Sequence, residues 1–529
     1  MALARSDEAP GAGAPRTDGP RRPSLTTKVL FGIGSMEDGA QLVIVGGVLL
    51  LYYSQILHVP VQLVSLAMGV SLFVDALFDL LIAQFSDNLR ARLGRRHSLM
   101  YISILPVGLS FMALWMPPPG LTARQLFLWL FVTVTLFRFS HSLYMVPSGA
   151  LLPELAPGYH DRTRMYGFRY MLGSLGGGIA AVLAYGVFLR NTPDYPLGQL
   201  NPAGYPPMAI AVGLLMMAAN LVSDLGTHAH IPDLYRPAPR DVQWRVWLKE
   251  IASIFGNRNF VIAVIGGMLA AAPAALTTGL SIYFSTFIFN LPARNVMLLV
   301  AIQALSGPLA FAVAAAVSAR LQKRQAYLWL YAASLIFVHG PLALRLLGLL
   351  PPNGAPLLLP VLMGAQLLHG VLGIAAAIVS TSMISDVVEE NQARTGRRSE
   401  GLVLFSDRLM LKLANALATI LPGILLAIVK FPTGAKPSTL DPAVMRHLAM
   451  IYIGLSLLLS AGAILVWLAF RIDQAAHQRN LETIAALKER SSDAETIQAA
   501  EQLEGKTREC SSPEDVDGVK PLSAQPRPG

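Results

Sequence analysis

Asp75 and Asp79 stand four residues apart in SLFVDALFDLLIAQFSD, a segment otherwise almost free of charge. That spacing puts both carboxylates on one face of a helix, about one turn apart. Two anions held so close repel each other, and a cation between them relieves the repulsion. Carboxylate and hydroxyl oxygens suit a hard ion such as Na⁺, and a proton answers the same electrostatic need. Alternatively each carboxylate pairs with a basic side chain on another helix, and the two arrangements are compatible.

Counter-charges occur in similar settings. Lys412, in LFSDRLMLKLANALATILPG, lies deep in an apolar stretch and is expected to point inward, whereas Arg408, nearer the end, can snorkel to the surface. Arg169 opens the run MYGFRYMLGSLGGG, within reach of either a central cavity or a gate. Glu37 and Asp38 adjoin in FGIGSMEDGAQL. Neighbours on a helix point in different directions, so at most one faces a cavity squarely, and Asp38 is the candidate. Arg138 and His141, and Gln366 and His369, are secondary candidates, since an intramembrane His is often only hydrogen-bonded to the next helix. Ionisable groups inside a membrane cost several kcal/mol unless paired or hydrated, so each is a functional candidate. The glycines of SLGGGIAAVLAYG are expected to allow close helix contact and do not form a nucleotide loop. GxxxxGK[ST], HExxH and GxSxG are all absent, which speaks against an enzyme and leaves ion and solute gradients as the energy source. Nothing resembles a repeated selectivity filter, so a channel is disfavoured.

The elements that must carry these residues follow from composition. The 529 residues are 53% hydrophobic and 14% charged, against about 25% charged in soluble domains, with a mean hydropathy of +0.51. Apolar runs near twenty residues are long enough to cross a hydrocarbon core about 30 Å thick as helices. The spacing predicts an all-α integral membrane protein with about twelve spans, near 29–57, 61–87, 98–116, 124–152, 165–190, 206–226, 260–289, 296–319, 326–348, 357–387, 401–430 and 446–471. The net charge of +9 resides in short loops between spans, which makes it a matter of topology and not a nucleic-acid surface. Lys and Arg concentrate after the even-numbered spans: Arg90, Arg92, Arg95 and Arg96, then Arg162 and Arg164, then Arg320, Lys323 and Arg324, then Arg394, Arg397 and Arg398. Both termini are therefore expected in the cytoplasm, in an inner (plasma) membrane. The eleventh loop, with Lys430, Lys436 and Arg446, is the exception.

Residues 1–27 read as a disordered arm without a signal-peptide core, 28–226 and 260–471 as two six-helix halves, and 227–259 as a central loop. In that loop Trp244 and Trp247 beside Arg245 and Lys249 suggest an interfacial helix. The tail, 472–529, is expected to be partly helical and then disordered. Its Cys510 is the chain's only cysteine, which excludes a disulfide framework within one chain. A weak repeat relates the halves: Arg162-Thr163 and Arg394-Thr395 follow similar acidic segments, 394 − 162 = 232 residues apart. Parallel repeats of this kind place a substrate at their interface near the bilayer midplane.

Three segments carry a resemblance. DALFDLLIAQFSDNLRARLGRR, VPSGALLPELAPGYHDRTRMYGFR and ISDVVEENQARTGRRSEGLVLFSDRLMLKLANAL, in that order, resemble the signature segments of the glycoside-pentoside-hexuronide:cation symporters of the major facilitator superfamily. The likeness spans most of residues 29–471. It implies the major facilitator fold, two six-helix halves working by alternating access, and a coupling cation, Na⁺ or H⁺, with no other cofactor. It implies a cation site at Asp75 and Asp79 with the Ser142 hydroxyl close by. Lys412 would lie next to that site and Arg169 would line the cavity, with Asp38 and His141 as further cavity candidates. Asp87, Arg95, Arg96, Arg162, Arg397 and Arg398 resemble a cytoplasmic gate network. Partners would be a small-molecule substrate, the cation and the lipid bilayer, with the chain working as a monomer. The chain departs from the melibiose-type sugar permeases in having Gly39, Met145 and Gly149 where those carry two acids and a tryptophan. A sugar or glycoside is the first expectation, with a lysolipid, as in the related sodium-dependent lysophospholipid transporters, as the alternative. In another class stands a membrane scaffold or receptor that keeps the fold without transport.

Overall fold

In hydrocarbon a long apolar segment can satisfy its backbone only within itself, and the computed structural model shows, among the described residues, twelve helices long and apolar enough to span a membrane. They are α1 (Leu25–Ile56), α2 (Val61–Ser86), α3 (His97–Trp115), α4 (Ala123–Leu155), α5 (Arg164–Phe188), α6 (Pro202–His228), α7 (Arg258–Ile288), α8 (Ala293–Ser318), α9 (Lys323–Leu346), α10 (Leu358–Thr395), α11 (Phe405–Ile428) and α12 (Pro442–Leu468). The structure describes residues 23–486 except 90, 92, 157–158, 232–253, 396–399 and 473. The expected interfacial helix around Trp244 and Trp247 lies outside the described residues, as do the arm's first 22 residues and the tail beyond 486.

Helix pairing shows the two halves directly. Within the first half α1 packs on α5 and α6, α2 on α4, and α3 on α4 and α6. Shifting every number by six reproduces the second half: α7 packs on α11 and α12, α8 on α10, and α9 on α10 and α12. Between the halves α1 meets α7, α2 meets α11 and α5 meets α8.

The expected glycine contact is present and is tight. A Cβ at Gly39 would run into the carbonyl of Gly173, and one at Gly176 would strike the backbone of Met36. Small residues thus let α1 lie almost backbone to backbone on α5. Two predicted spans prove short, because α4 continues to Leu155 and α10 to Thr395. Acidic residues at those ends are paired: beyond the predicted end of α4, Glu154 accepts from Arg95 and Arg96 at 2.5 and 2.6 Å; beyond that of α10, Glu390 accepts from Asn257 and Asn259 at 2.9 Å; and just inside it Asp386 accepts from Lys323 at 2.7 Å. Glu154 and Asp386 stand at the 232-residue offset of the sequence repeat.

After α12 a further helix, residues 474–486, turns back onto the bundle. Its His477 lies 2.9 Å from Glu389 and 3.5 Å from Asp386 of α10, and Ala476 packs against the core of the second half.

Candidate cation and substrate site

Asp75 lies at the middle of α2 and is 3% exposed. The helical turn carries Asp79 onto the same face, and both look across to α4 and α11. The Ser142 hydroxyl on α4 lies 2.7 Å from Asp75 Oδ1 and 2.6 Å from Asp79 Oδ1, so its one proton is shared between the two carboxylates. On the other side Lys412 Nζ lies 2.8 Å from Asp75 Oδ2 and 2.5 Å from Asp79 Oδ2. One ammonium therefore stands where a cation between two carboxylates would stand. Both arrangements weighed from sequence converge here: the pair shares a cation, and that cation is a side chain of the opposite half. One turn before Asp75, Ser71 holds Arg138 Nε at 3.1 Å, which brings a second buried positive charge into the field of Asp75.

A second cluster lies on α1. Glu37 is fully buried, hydrogen-bonded at 2.7 Å to His141 Nδ1 and accepting at 3.2 Å from Asn220 Nδ2 on α6. Asp38 turns away, with its side chain 58% exposed and its carboxylate 3.8 Å from His141 Nε2. Asp38 is thus exposed, while its neighbour is internal to the first half. Sequence alone singles out neither Glu37, since adjacency leaves only one carboxyl for a cavity, nor Asn220, since a lone Asn in an apolar helix gives little signal.

Arg169 on α5 donates to Ser35 Oγ at 3.0 Å, contacts Met145 Sδ at 3.7 Å, and lies over the Phe31 ring at 5.3 Å. Met145 is accordingly brought against Arg169, whereas Gly149, one turn further along α4, borders open space. Gly39 has no room for the acid that sugar permeases of the melibiose type carry, because α5 backbone occupies the space.

Of the expected gate residues, Arg95 and Arg96 share Glu154 of the same half, and Arg162 is exposed. The Asp87 side chain, Arg397 and Arg398 lie outside the described residues. Lys28 at the start of α1 pairs with Asp161 at 2.6 Å.

The model of the family described as MFS/sugar transport protein matches residues 30–474. The chain belongs to that family. Relatives include an uncharacterized symporter of Synechocystis, 24% identical over 479 residues, covering 76% of this chain and 85% of that protein. A putative glycoside/cation symporter of Escherichia coli is 21% identical over 456 residues, covering 85% and 93%. A putative sulfoquinovose importer of Salmonella typhimurium is 23% identical over 445 residues, covering 81% and 86%. Among solved structures, the inward-open xylose transporter of Escherichia coli superposes with a TM-score of 0.58 at 13% identity, covering 87% of this chain and 98% of that one. The nucleoside transporter NupG gives 0.56 at 16%, covering 84% and 99%. These likenesses establish the major facilitator fold. The family match and the named relatives bear out the expected kinship with glycoside-pentoside-hexuronide:cation symporters, and the chain is an integral membrane transporter.

Proposed function

We propose that this family member is a cation-coupled symporter that carries a small organic solute, a sugar or glycoside first, by alternating access across the inner (plasma) membrane. The observation that carries the reading is Lys412 bridging Asp75 and Asp79. Asp75, Asp79 and Ser142 supply a compact set of oxygens that fits Na⁺, and the same carboxylates accept a proton. An arriving cation takes over the charge that Lys412 neutralises and so frees the ammonium. Because Lys412 belongs to α11 and the aspartates to α2, this exchange uncouples the two halves at their centre. Asp38, His141 and Arg169 are the polar groups offered to a solute, and the loop charges support termini in the cytoplasm.

The alternative substrate is a lysolipid or similar amphipath. It is favoured by the apolar Met145 beside Arg169 and the open space at Gly149, where a cation next to a thioether could receive an anionic headgroup and its chain.

The test is thermal unfolding of the purified protein with Na⁺ titrated at two pH values, and with panels of sugars, glycosides and lysolipids. A ligand at about 100 times its Kd adds about 2.7 kcal/mol to the folded state, a readily measured rise in Tm. Na⁺ or acid should stabilise the wild type and have no such effect on Asp75→Asn or Asp79→Asn. An unchanged wild-type Tm with every cation would overturn symport and favour a non-transporting scaffold.

A further inference from the structure

Asp224 on α6 is fully buried, and neither of its carboxylate oxygens has a hydrogen-bond partner among the described residues. The other buried carboxylates among them differ in this respect: Asp75 has Lys412 and Ser142, Glu37 has His141 and Asn220, and Asp386 has Lys323. Further buried polar atoms without partners among the described residues border the same region. They are Asn220 Oδ1 one turn before Asp224 and His97 Nδ1 on α3, while the Tyr144 hydroxyl on α4 has Ser223 beside it. Tyr144 lies in the electrostatic field of Asp224. Its hydroxyl and Ser223 Oγ fill the notch at Gly34 that any side chain there would close. Towards the end that carries the termini, Thr227 Oγ1 donates to the Ser223 carbonyl at 2.9 Å and lies 3.0 Å from His97 Nε2. Beyond it Tyr101 Oη meets His228 Nδ1 at 3.0 Å at an exposed position.

Buried polar atoms in folded proteins are almost all satisfied, by protein or by ordered water. A seam containing Asn220 Oδ1, both oxygens of Asp224 and His97 Nδ1 therefore calls for bridging water. An ionised carboxylate buried without a counter-cation costs several kcal/mol, and the groups facing Asp224 supply none in contact. They are Tyr144 from α4, His97 and Tyr101 from α3, Glu37 from α1 through Asn220, and His228 and His230 at the end of α6. Lys28 of α1 is held by Asp161, and Arg169 of α5 reaches as far as the field of Tyr144.

We propose that Asp224 is a proton-binding site, separate from the Asp75–Asp79 pair, that exchanges with the terminus-bearing face through water along Tyr144, Ser223, Thr227 and His97. In this exchange the O–H bond of the Asp224 carboxyl breaks, its proton passes to a bridging water, and that water gives a proton to the His97 imidazole. Occupancy of the site is independent of symport; only its use, as a second proton-handling point beside the coupling cation, rests on that reading.

Infrared difference spectroscopy of the full-length protein in lipid, after pH jumps in H₂O and D₂O, tests the proposal. The wild type at neutral pH should show the C=O stretch of a protonated carboxyl that shifts in D₂O. The band should vanish in Asp224→Asn, move without vanishing in Asp224→Glu, and persist in Asp75→Asn and Asp79→Asn. His97→Asn should slow its deuterium exchange severalfold. A wild type lacking the band, or an Asp224→Asn protein retaining it, would overturn the site, and unchanged exchange in His97→Asn would overturn the route. A protein that shows the Asp224 band but no cation-dependent change in Tm would instead sink symport and leave the proton site standing.

Discussion

Lys412 is bonded to two carboxylates at once, so its removal strands both. Stripping one partner from a buried ion pair costs about 3–5 kcal/mol. The lower end applies here, because Lys412 and Asp79 side chains are 25% and 31% exposed. Lys412→Ala should therefore melt lower than the wild type in Na⁺-free buffer at neutral pH. High Na⁺ or acid should recover more of that loss than in the wild type, because the site then lacks its internal cation; melting curves over a Na⁺ series check this. A Lys412→Ala protein indifferent to both would show that the aspartates do not hold the coupling ion. At the same scale, Gly39 explains a missing acid: the position is consumed by contact with α5, so any cavity carboxylate on this stretch of α1 has to come from Asp38.

Two elements depend on such close contacts. The seam between α1 and α5 admits no side chain at Gly39, whereas Gly178, on the same glycine run, borders nothing within 4 Å. Gly39→Ala should lose about 1–3 kcal/mol through forced separation of the helices, and Gly178→Ala should be neutral or slightly stabilising. Tm values of the paired variants test this, and equal effects would refute the packing argument. The helix at 474–486 is held at one end by His477 against Asp386 and Glu389. His477→Ala should speed proteolytic removal of the tail after residue 471 while leaving the melting of the bundle unchanged. No change in cleavage would mean that apolar contacts around Ala476 suffice.

At the scale of the whole molecule, the described contacts between halves run from Lys412 to the end opposite the termini. Gly69 packs on Ala416 and Ile420, Gly423 on Ser65, and Ser54 lies 2.5 Å from the Tyr283 hydroxyl. At α5–α8, a Cβ on Gly186 would lie 2.8 Å from Met297 Sδ. Alternating access requires this end to part. In a Cys510→Ser background, Gly186→Cys with Met297→Cys should cross-link under mild oxidation and abolish uptake of whichever solute the binding screen identifies, and reduction should restore it. Uptake that survives a complete cross-link would exclude rocking of the halves about the centre.

Much of this was legible in the sequence, for a physical reason. A membrane demands long apolar helices and penalises charge, so hydropathy located the twelve spans, loop arginines suggested their orientation, and the few intramembrane charges marked Asp75, Asp79 and Lys412. The same logic ended α4 and α10 too early, because it cannot see that Glu154 and Glu390 are held by partners from elsewhere in the chain, Arg95 and Arg96 for the one and Asn257 and Asn259 for the other. Tertiary structure alone decided which charges meet. That Lys412 reaches both aspartates, that Glu37 turns inward to His141 and Asn220 while Asp38 stays exposed, and that Asp224 is left without a hydrogen-bond partner among the described residues all depend on helix rotation and on contacts between residues up to 337 positions apart. Periodicity places a side chain on a face, but only packing determines what that face touches.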